Sequence, residues 1–297
     1  MPDYATSGLD ALGFVPTSYP STPILYAPPN YGAPIQFEDN DTSPPATAAE
    51  QSFLRTAVGI FLWYALAIDS TILLTLTRLA SSQSKPTVDT MTLLDRLLNY
   101  IAQYPNASIV YRPSDMQLHL HSDESYLSEP QSRSRCAGFF QLGAIVFTGP
   151  DQPSNVNGPT RIVSNILPTV VGSASEASYG SMYLNAQHAT VDRQTLRDLG
   201  HPQTSTVMTY DNSTAGSIAN RTAKVKRSKA YSMKYHWIQD RIEQGDFTIQ
   251  WAPGTSNLAD FPSKAHPVHH FKSMRKYFIT LPPTPPPIVP GTAERVC

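Results

Sequence analysis

The sequence contains little cysteine, little charge and no long uninterrupted apolar stretch. Its 297 residues include two cysteines, Cys136 and Cys297, which are too few for a disulfide framework and lack the spacing of a zinc site. This usage favours a reducing compartment. Charged residues make up 15% of the chain and the net charge is −1, so any contact with a polyanion must come from a local basic patch.

A signal peptide and a membrane span are both disfavoured. The start of the chain lacks a basic region followed by an apolar run. The most apolar stretch, 57–79, is divided by Asp69, Ser70 and Thr71. An aspartate at the centre of a spanning helix costs roughly 3 kcal/mol, whereas the same residue at a helix start caps exposed amides. We therefore expect two buried helices, no membrane contact, and an intracellular chain, cytoplasmic or nuclear, that is not secreted.

Composition divides the chain into four regions. Residues 1–50 contain nine prolines without periodicity, which predicts a largely disordered or extended segment. Region 51–112 begins with apolar residues at helical spacing, which predicts three amphipathic helices. Residues 281–297 contain six prolines and predict a flexible tail. The remaining stretch, 113–280, is expected to form the main domain.

The main region alternates between strand and helix patterns. Met116, Leu118 and Leu120 alternate with polar residues, which predicts a first strand over 116–125. The order of the elements predicts an α/β fold with a mixed five-stranded sheet flanked by helices. The other predicted strands are 137–147, 162–171, 204–210 and 247–251, and the predicted helices are 175–199, 213–220, one through Tyr231 and Ile242 that ends at Gly245, 257–264 and 268–278.

Four acidic residues stand at the ends of these predicted elements: Asp123 and Asp211 after strands, Glu176 and Asp260 at helix starts. Such a series predicts a cluster that binds divalent cations, and two such ions can clamp the attacking and leaving oxygens of a phosphodiester.

Each acidic residue also has a structural explanation. Asp123 fits a solvated loop, and Asp211 fits a turn or a helix cap. Ser173-x-x-Glu176 and Asn257-x-x-Asp260 both have the spacing of a capping box, in which the acidic side chain returns to the cap amide.

Five stretches, in order, resemble the RNase H domain of copia-like LTR-retrotransposon polyproteins. The similarity covers about residues 115–278, and the helical stretch 51–104 is similar to the region that joins polymerase to RNase H in such polyproteins. The five stretches are 118–138, which begins Leu-His-Leu-His-Ser-Asp-Glu-Ser, 173–179 (Ser-Ala-Ser-Glu-Ala-Ser-Tyr), 209–220 (Thr-Tyr-Asp-Asn-Ser-Thr-Ala-Gly-Ser-Ile-Ala-Asn), 226–238, which begins Lys-Arg-Ser-Lys, and 257–264 (Asn-Leu-Ala-Asp-Phe-Pro-Ser-Lys).

The resemblance implies an RNase H-like fold and an enzyme that cuts the RNA strand of RNA–DNA hybrids endonucleolytically. Asp123, Glu176, Asp211 and Asp260 would be the catalytic, metal-binding carboxylates, with two Mg²⁺ or Mn²⁺ ions. The loop 251–257 lacks the histidine that cellular enzymes place there to assist product release, and retrotransposon versions can lack it too.

The chain also lacks a polymerase catalytic centre. No Tyr-x-Asp-Asp motif occurs in its 297 residues, which predicts the C-terminal part of a polyprotein whose polymerase part is a partner. The alternative to an enzyme is a catalytically inactive nucleic-acid-binding or interaction protein derived from a decayed element.

A basic stretch and a histidine group complete the candidates. The basic stretch predicts phosphate contacts with a hybrid, to which Arg133 and Arg135 would add; a solvated face is the alternative. The histidines His266, His269 and His270 are interpreted as surface residues rather than a zinc site, because no carboxylate has a suitable spacing. The basic stretch comprises Arg221, Lys224, Lys226, Arg227, Lys229 and Lys234.

Overall fold

A mixed five-stranded sheet organises the protein, whose computed structural model describes residues 3–28, 41–145, 156–221 and 232–282. The strands lie in the order β3-β2-β1-β4-β5. The β1–β2 and β2–β3 pairs are antiparallel, whereas the β1–β4 and β4–β5 pairs are parallel. The predicted mixed five-stranded sheet is therefore confirmed. The strands are β1 Gln117–Glu129, β2 Arg133–Gly143, β3 Pro159–Ile166, β4 Thr206–Tyr210 and β5 Phe247–Trp251.

Helices cover both faces of this sheet. The three helices predicted for the region before the sheet are confirmed as α2, α3 and α4. Those predicted after β3 are also confirmed, with ends that differ from the predicted ones by at most three residues. The helices in the described ranges are α1 Tyr4–Ala11, α2 Ala48–Ala67, α3 Leu73–Ser82, α4 Val88–Gln103, α5 Ala174–Asp198, α6 Ser213–Ala219, α7 Ser232–Glu243, α8 Asp260–Ser263 and α9 Val268–Arg275.

Alternation along β1 directs its residues to two different cores. Leu118 and Leu120 belong to the core that contains Tyr179 and Met182 of α5. His119, His121 and Asp123 point to the opposite face, because successive strand side chains alternate. All three are buried there. The polar face predicted for β1 is therefore an interior surface.

The helices before the sheet and those after it share the second core. Phe61 of α2 and Leu97 of α4 belong to one apolar cluster with Phe139 of β2 and Phe278. Phe139 and Phe278 meet edge to face, with ring centroids 5.2 Å apart. The division of the chain at residue 112 into separate domains stays a prediction, and the shared core shows that the two regions pack directly together.

A buried aspartate, Asp69, caps the 3-10 turn Ser70–Ile72 that leads into α3, in line with the capping role that the sequence predicts. Its Oδ1 accepts hydrogen bonds from the Thr71 amide at 3.1 Å and from the Thr71 hydroxyl at 2.5 Å. These bonds satisfy donors that a helix start leaves open. Across the described ranges, none of the helices combines the length and the hydropathy that a bilayer span requires.

The N-terminal region differs from its prediction. Tyr4–Ala11 forms α1, and Ala5 and Leu9 are buried in the second core. The Tyr4 ring stacks on Tyr64 of α2 with centroids 5.7 Å apart. The expectation of an extended or disordered segment is wrong here because packing on α2 compensates for a sequence with no clear helical periodicity. Residues 29–40, which belong to the same predicted segment, lie outside the described residues, as does the predicted tail from 283 onward.

Candidate active site

Asp123 and Asp211 are brought side by side by the pairing of parallel strands. His121 of β1 pairs with Thr209 of β4. Each aspartate follows its paired residue by two positions, so both lie at the same level and on the same face of the sheet. The sequence analysis placed Asp123 at the end of its strand. The strand β1 continues to Glu129, however, so Asp123 lies within it. It is 5% exposed, which excludes the solvated-loop interpretation.

Asp260 is carried to this point by hydrogen bonds between its own segment and β1. The Asn257 side-chain amide donates to the Ser122 carbonyl at 3.0 Å. The Leu258 amide donates to His121 Nδ1 at 3.3 Å. Burial lowers the pKa of His121 to about 4, so its ring stays neutral and can accept this bond near neutral pH. The turn from Asn257 thus fixes Asp260 beside Asp123.

The three aspartates form an electrostatically strained group. Burial and the nearby carboxylates, Glu124 first and then Asp211 and Asp260, raise the pKa of Asp123 well above its ordinary value. Burial and Asp260 likewise raise the pKa of Asp211. Such raised values arise where carboxylates are held close together away from water.

One oxygen of this group has no hydrogen-bond partner. Within the described part of the chain, the Oδ2 atom of Asp123 is buried and accepts no hydrogen bond. A buried carboxylate oxygen without a donor is costly unless a cation or water satisfies it. The potential metal ligands around this oxygen are carboxylate oxygens, which Mg²⁺ and Mn²⁺ prefer. The residues present therefore fit a hard divalent cation.

Glu124 is a further carboxylate at this site, which the sequence interpretation missed. The Ser178 hydroxyl donates to Glu124 Oε1 at 2.5 Å, and the Asn212 side-chain amide donates to Ser178 Oγ at 2.8 Å. Burial, opposed by the Ser178 hydrogen bond and supported by Asp211, raises the pKa of Glu124 to about 7. Its position directly after Asp123 was the available signal, although strand alternation by itself places neighbouring residues on opposite faces.

Glu176 lies on a different side of α5. The face of α5 that contacts β1 carries Ser178, Ser181 and Asn185: Ser181 Oγ donates to the Asp123 carbonyl at 2.5 Å, and Asn185 Nδ2 donates to Ser122 Oγ at 2.9 Å. At 100° per residue, Glu176 is about 200° around the helix from Ser178. The Glu176 carboxylate instead accepts a hydrogen bond from the Gly172 amide at 2.8 Å.

The helix-cap interpretation holds for only one of the four predicted acidic residues. Ser173 caps α5 by accepting from the Glu176 amide at 3.2 Å, so Glu176 does belong to a helix-start motif. Asn212 caps α6 by accepting from Ala215, which leaves the Asp211 carboxylate free of that role. The cap position of α8 is Ala259, which makes no side-chain cap bond, and Asp260 is the first residue of that helix.

Lys264 supplies the positive charge beside these carboxylates. Its Nζ forms an ion pair with Asp260 Oδ1. Burial alone would lower the pKa of Lys264. Its pKa is nevertheless held above the ordinary value by the carboxylates of Asp260, Asp123 and Asp211. One ammonium balances only part of a group of four carboxylates.

The histidine prediction is wrong for His266. This residue is 7% exposed, and its Nε2 lies 3.8 Å from Asp260 Oδ2. A carboxylate is therefore available to it, because the turn after α8 returns the chain to Asp260. Burial lowers the pKa of His266. His269 is exposed, as predicted.

The basic stretch is described only at its two ends. Arg221 forms an exposed ion pair with Glu243 of α7, and Lys234 lies partly buried on α7. Lys224, Lys226, Arg227 and Lys229 lie outside the described residues.

Arg135 does not add to a nucleic-acid surface. Its side chain is 0% exposed and donates from Nε to Glu129 Oε1 at 2.6 Å. It also donates to the Thr77 hydroxyl at 2.7 Å, which links β2 to α3. The expectation for Arg135 is therefore wrong, because long-range partners place the guanidinium between the sheet and the helices.

Comparisons with known proteins link the chain to retrotransposon polyproteins. No family model matches it. It is 25% identical over 189 residues to the retrovirus-related Pol polyprotein from transposon RE1 of Arabidopsis thaliana. The matched region covers 63% of this chain and 12% of that polyprotein. The polyprotein from transposon RE2 of the same plant is 25% identical over 192 residues, with the same 63% and 12% coverage. The predicted resemblance to such polyproteins is confirmed, and the chain spans about an eighth of their length.

Two solved structures of RNase H domains are also similar. LC11-RNase H1, isolated from compost by a metagenomic approach, has a TM-score of 0.37 and 13% identity, covering 50% of this chain and 92% of that one. The N-terminal RNase H domain of a Mycobacterium tuberculosis protein, solved as a fusion with maltose-binding protein, has a TM-score of 0.36 and 13% identity, covering 54% and 97%.

Proposed function

We propose that this protein cuts the RNA strand of RNA–DNA hybrids in a reaction that depends on divalent metal ions, as the RNase H part of a retrotransposon polyprotein. The observation that carries the proposal is the meeting of Asp123, Asp211 and Asp260 around a buried carboxylate oxygen without a donor. The similarity to transposon polyproteins supports the same class of reaction. The polymerase part of the polyprotein is the proposed protein partner.

The three aspartates would hold Mg²⁺ or Mn²⁺, in the proposed number of two ions, with a fourth carboxylate. Bound ions would activate a water molecule and stabilise the charge on the leaving oxygen. Asp123 is fixed by β1 and by the Ser181 bond to its carbonyl, so its oxygens are preorganised. Lys264, held by Asp260, would orient that carboxylate and reduce repulsion before ions bind.

Two residues compete for the place of the fourth carboxylate. The sequence resemblance supports Glu176, which stands at the start of α5. The hydrogen bond from Ser178 to Glu124, together with the raised pKa of Glu124, supports Glu124 instead. We favour Glu124, because a raised carboxyl pKa beside Asp123 and Asp211 is the expected signature of a shared cation site.

Cleavage of an end-labelled RNA–DNA hybrid tests the proposal. The purified chain should cut the RNA strand in Mg²⁺, and EDTA should stop the reaction. Single-stranded RNA and a DNA–DNA duplex of the same sequence are the controls, and both should stay intact. Equal cutting of single-stranded RNA would contradict hybrid specificity, and cutting in EDTA would contradict metal dependence.

The basic stretch is proposed to contact the hybrid backbone. Reversing the charge of Lys226, Arg227 and Lys229 should weaken hybrid binding, because each lost phosphate contact lowers the slope of log affinity against log salt by roughly one. Fluorescence anisotropy at several salt concentrations measures this slope. Charge reversal at the exposed Arg55 and Lys85 provides the control and should leave the slope at the parent value. An unchanged slope in the triple variant would return the stretch to a solvated face.

A second candidate is a nucleic-acid-binding protein that has lost catalysis. The ion pair of Lys264 with Asp260 favours it, because a resident ammonium can offset part of the carboxylate charge without a metal ion. Hybrid binding with no cleavage in either Mg²⁺ or Mn²⁺ would select this candidate. If Lys264→Gln then gained metal-dependent cleavage, the ammonium would be identified as the cause of the inactivity.

A further inference from the structure

Two histidines and an aspartate meet next to the aspartate group, at the junction of α8 and α9. Asp260 opens α8, His266 follows that helix, and His270 lies in the first turn of α9. One potential ligand atom from each of the three residues lies within 4.8 Å of the other two. Residues separated by up to ten positions in sequence thus present two ring nitrogens and one carboxylate oxygen to the same point.

The position of His266 is fixed by its surroundings. Its ring stacks on the Phe261 ring with centroids 5.7 Å apart and an interplanar angle of 2°. Its Nε2 donates a hydrogen bond to the Asp260 carbonyl oxygen at 3.1 Å and lies 3.8 Å from Asp260 Oδ2. A bound ion would take the place of the proton in this hydrogen bond. Because the ring is buried and stacked, this nitrogen is directed toward Asp260 before any ion binds. Preorganisation of this kind lowers the cost of forming a metal site.

His270 is able to close the group. Its ring centroid lies 4.7 Å from that of His266, and the residue is only partly buried. Ligands of a tetrahedral zinc ion stand about 3.4 Å apart for bond lengths near 2.1 Å. The ligand atoms, which lie within 4.8 Å of one another, must therefore approach each other by at most about 1.4 Å. A side-chain rotation of the partly exposed His270 can supply this movement.

The chemistry of these donors differs from that of the aspartate group. Imidazole nitrogens suit zinc and related transition metals, whereas all-oxygen groups suit magnesium. Two histidines with one carboxylate leave a coordination position for water, as in many zinc sites. The two oxygens of the Asp260 carboxylate have different neighbours. Oδ1 pairs with Lys264, and Oδ2 faces His266.

We propose that Asp260, His266 and His270 bind a divalent transition-metal ion of the zinc class. This site differs from the proposed magnesium site in its two histidine ligands and shares Asp260 with it, and it does not depend on nuclease activity. Its ion would tie the start of α8 to the start of α9 beside the proposed active site.

Cobalt absorption spectroscopy tests the proposal, because Co²⁺ replaces Zn²⁺ and gives visible bands when nitrogen ligands hold it in a low-coordinate site. The full chain, free of any histidine tag, should be titrated in a Cys297→Ser background so that the terminal thiol cannot bind the ion. The parent should show these bands, and Zn²⁺ should displace them. His270→Gln should weaken binding by more than the roughly 10- to 100-fold that loss of an outer-shell partner causes.

His269→Gln is the matched control, since His269 is an exposed neighbour outside the group. It should bind Co²⁺ like the parent. His266→Gln should also lose the bands, and circular dichroism should verify that this buried variant folds. Asp123→Asn should keep them, which separates this site from the aspartate group. Parent-like affinity in His270→Gln, or loss of the bands in Asp123→Asn or His269→Gln, would overturn the proposal.

Discussion

Asp123→Asn should lower Mg²⁺-dependent hybrid cleavage by at least about 100-fold, the usual cost of removing one electrostatic stabiliser from an active site. Asn keeps the volume and shape of the side chain but removes the charge of a residue that is 5% exposed. The carboxylate oxygen without a donor is lost with it. Initial rates at saturating Mg²⁺ measure the effect.

The same variant should be more stable than the parent when metal is absent. Burial and nearby carboxylates raise the pKa of Asp123 above that of the unfolded chain. The stability that protonation contributes is complete below the unfolded pKa of about 4, and is lost as the pH rises through the folded pKa. At pH 7 in EDTA, Asp123→Asn should therefore unfold at a temperature higher by about 2 °C or more.

This pair of results distinguishes loss of function from loss of fold. A variant that was inactive because it was misfolded would unfold at a lower temperature, not at a higher one. Asp198→Asn, at the exposed end of α5, is the control and should leave both the rate and the EDTA midpoint unchanged. Parent-like cleavage by Asp123→Asn would show that the active site is elsewhere.

The sequence was sufficient to predict that the three aspartates lie together, because their positions depend on local patterns. Asp123 and Asp211 follow alternating apolar residues, and parallel neighbouring strands bring equivalent positions together. Asp260 follows Asn257, whose side chain binds the β1 backbone at 3.0 Å. Fold and aspartates could be predicted together, since both rest on strand and helix periodicity.

The remaining features depend on contacts between distant segments. Whether Glu176 or Ser178 of α5 faces β1 is decided by how the helix packs on the sheet, and the capping pattern at Ser173 contains no such information. Arg135 is buried because Glu129 and Thr77 meet it, and these partners belong to separate elements. Such contacts cannot be derived from periodicity along a single segment.

The rotation of α5 leads to a direct comparison between Glu124 and Glu176. Glu124→Gln should lower hybrid cleavage by about 100-fold or more. The substitution removes a carboxylate that interacts electrostatically with Asp123 and Asp211 in the proposed cation site. Glu176→Gln should cut at close to the parent rate. Glutamine can still accept the hydrogen bond from the Gly172 amide, which the Glu176 carboxylate accepts at 2.8 Å.

A stability measurement in EDTA supports the same comparison without relying on activity. Glu124 has a pKa of about 7 in the folded protein, so the stability that its protonation contributes is lost between about pH 4 and pH 7. At pH 8, Glu124→Gln should raise the unfolding midpoint, whereas Glu176→Gln should not. Saturating Mg²⁺ should remove the advantage of Glu124→Gln, because the cation then stabilises the parent carboxylate.

Ser178→Ala connects the two measurements, since it removes the donor to Glu124 Oε1 and leaves both carboxylates in place. It should raise the Mg²⁺ concentration needed for half-maximal cleavage while changing the maximal rate less than Glu124→Gln does. If Glu176→Gln loses cleavage and Glu124→Gln retains it, α5 must rotate or shift when metal and hybrid bind, because Glu176 now lies about 200° from the face that contacts β1. The ranking of these variants therefore decides which glutamate completes the carboxylate group.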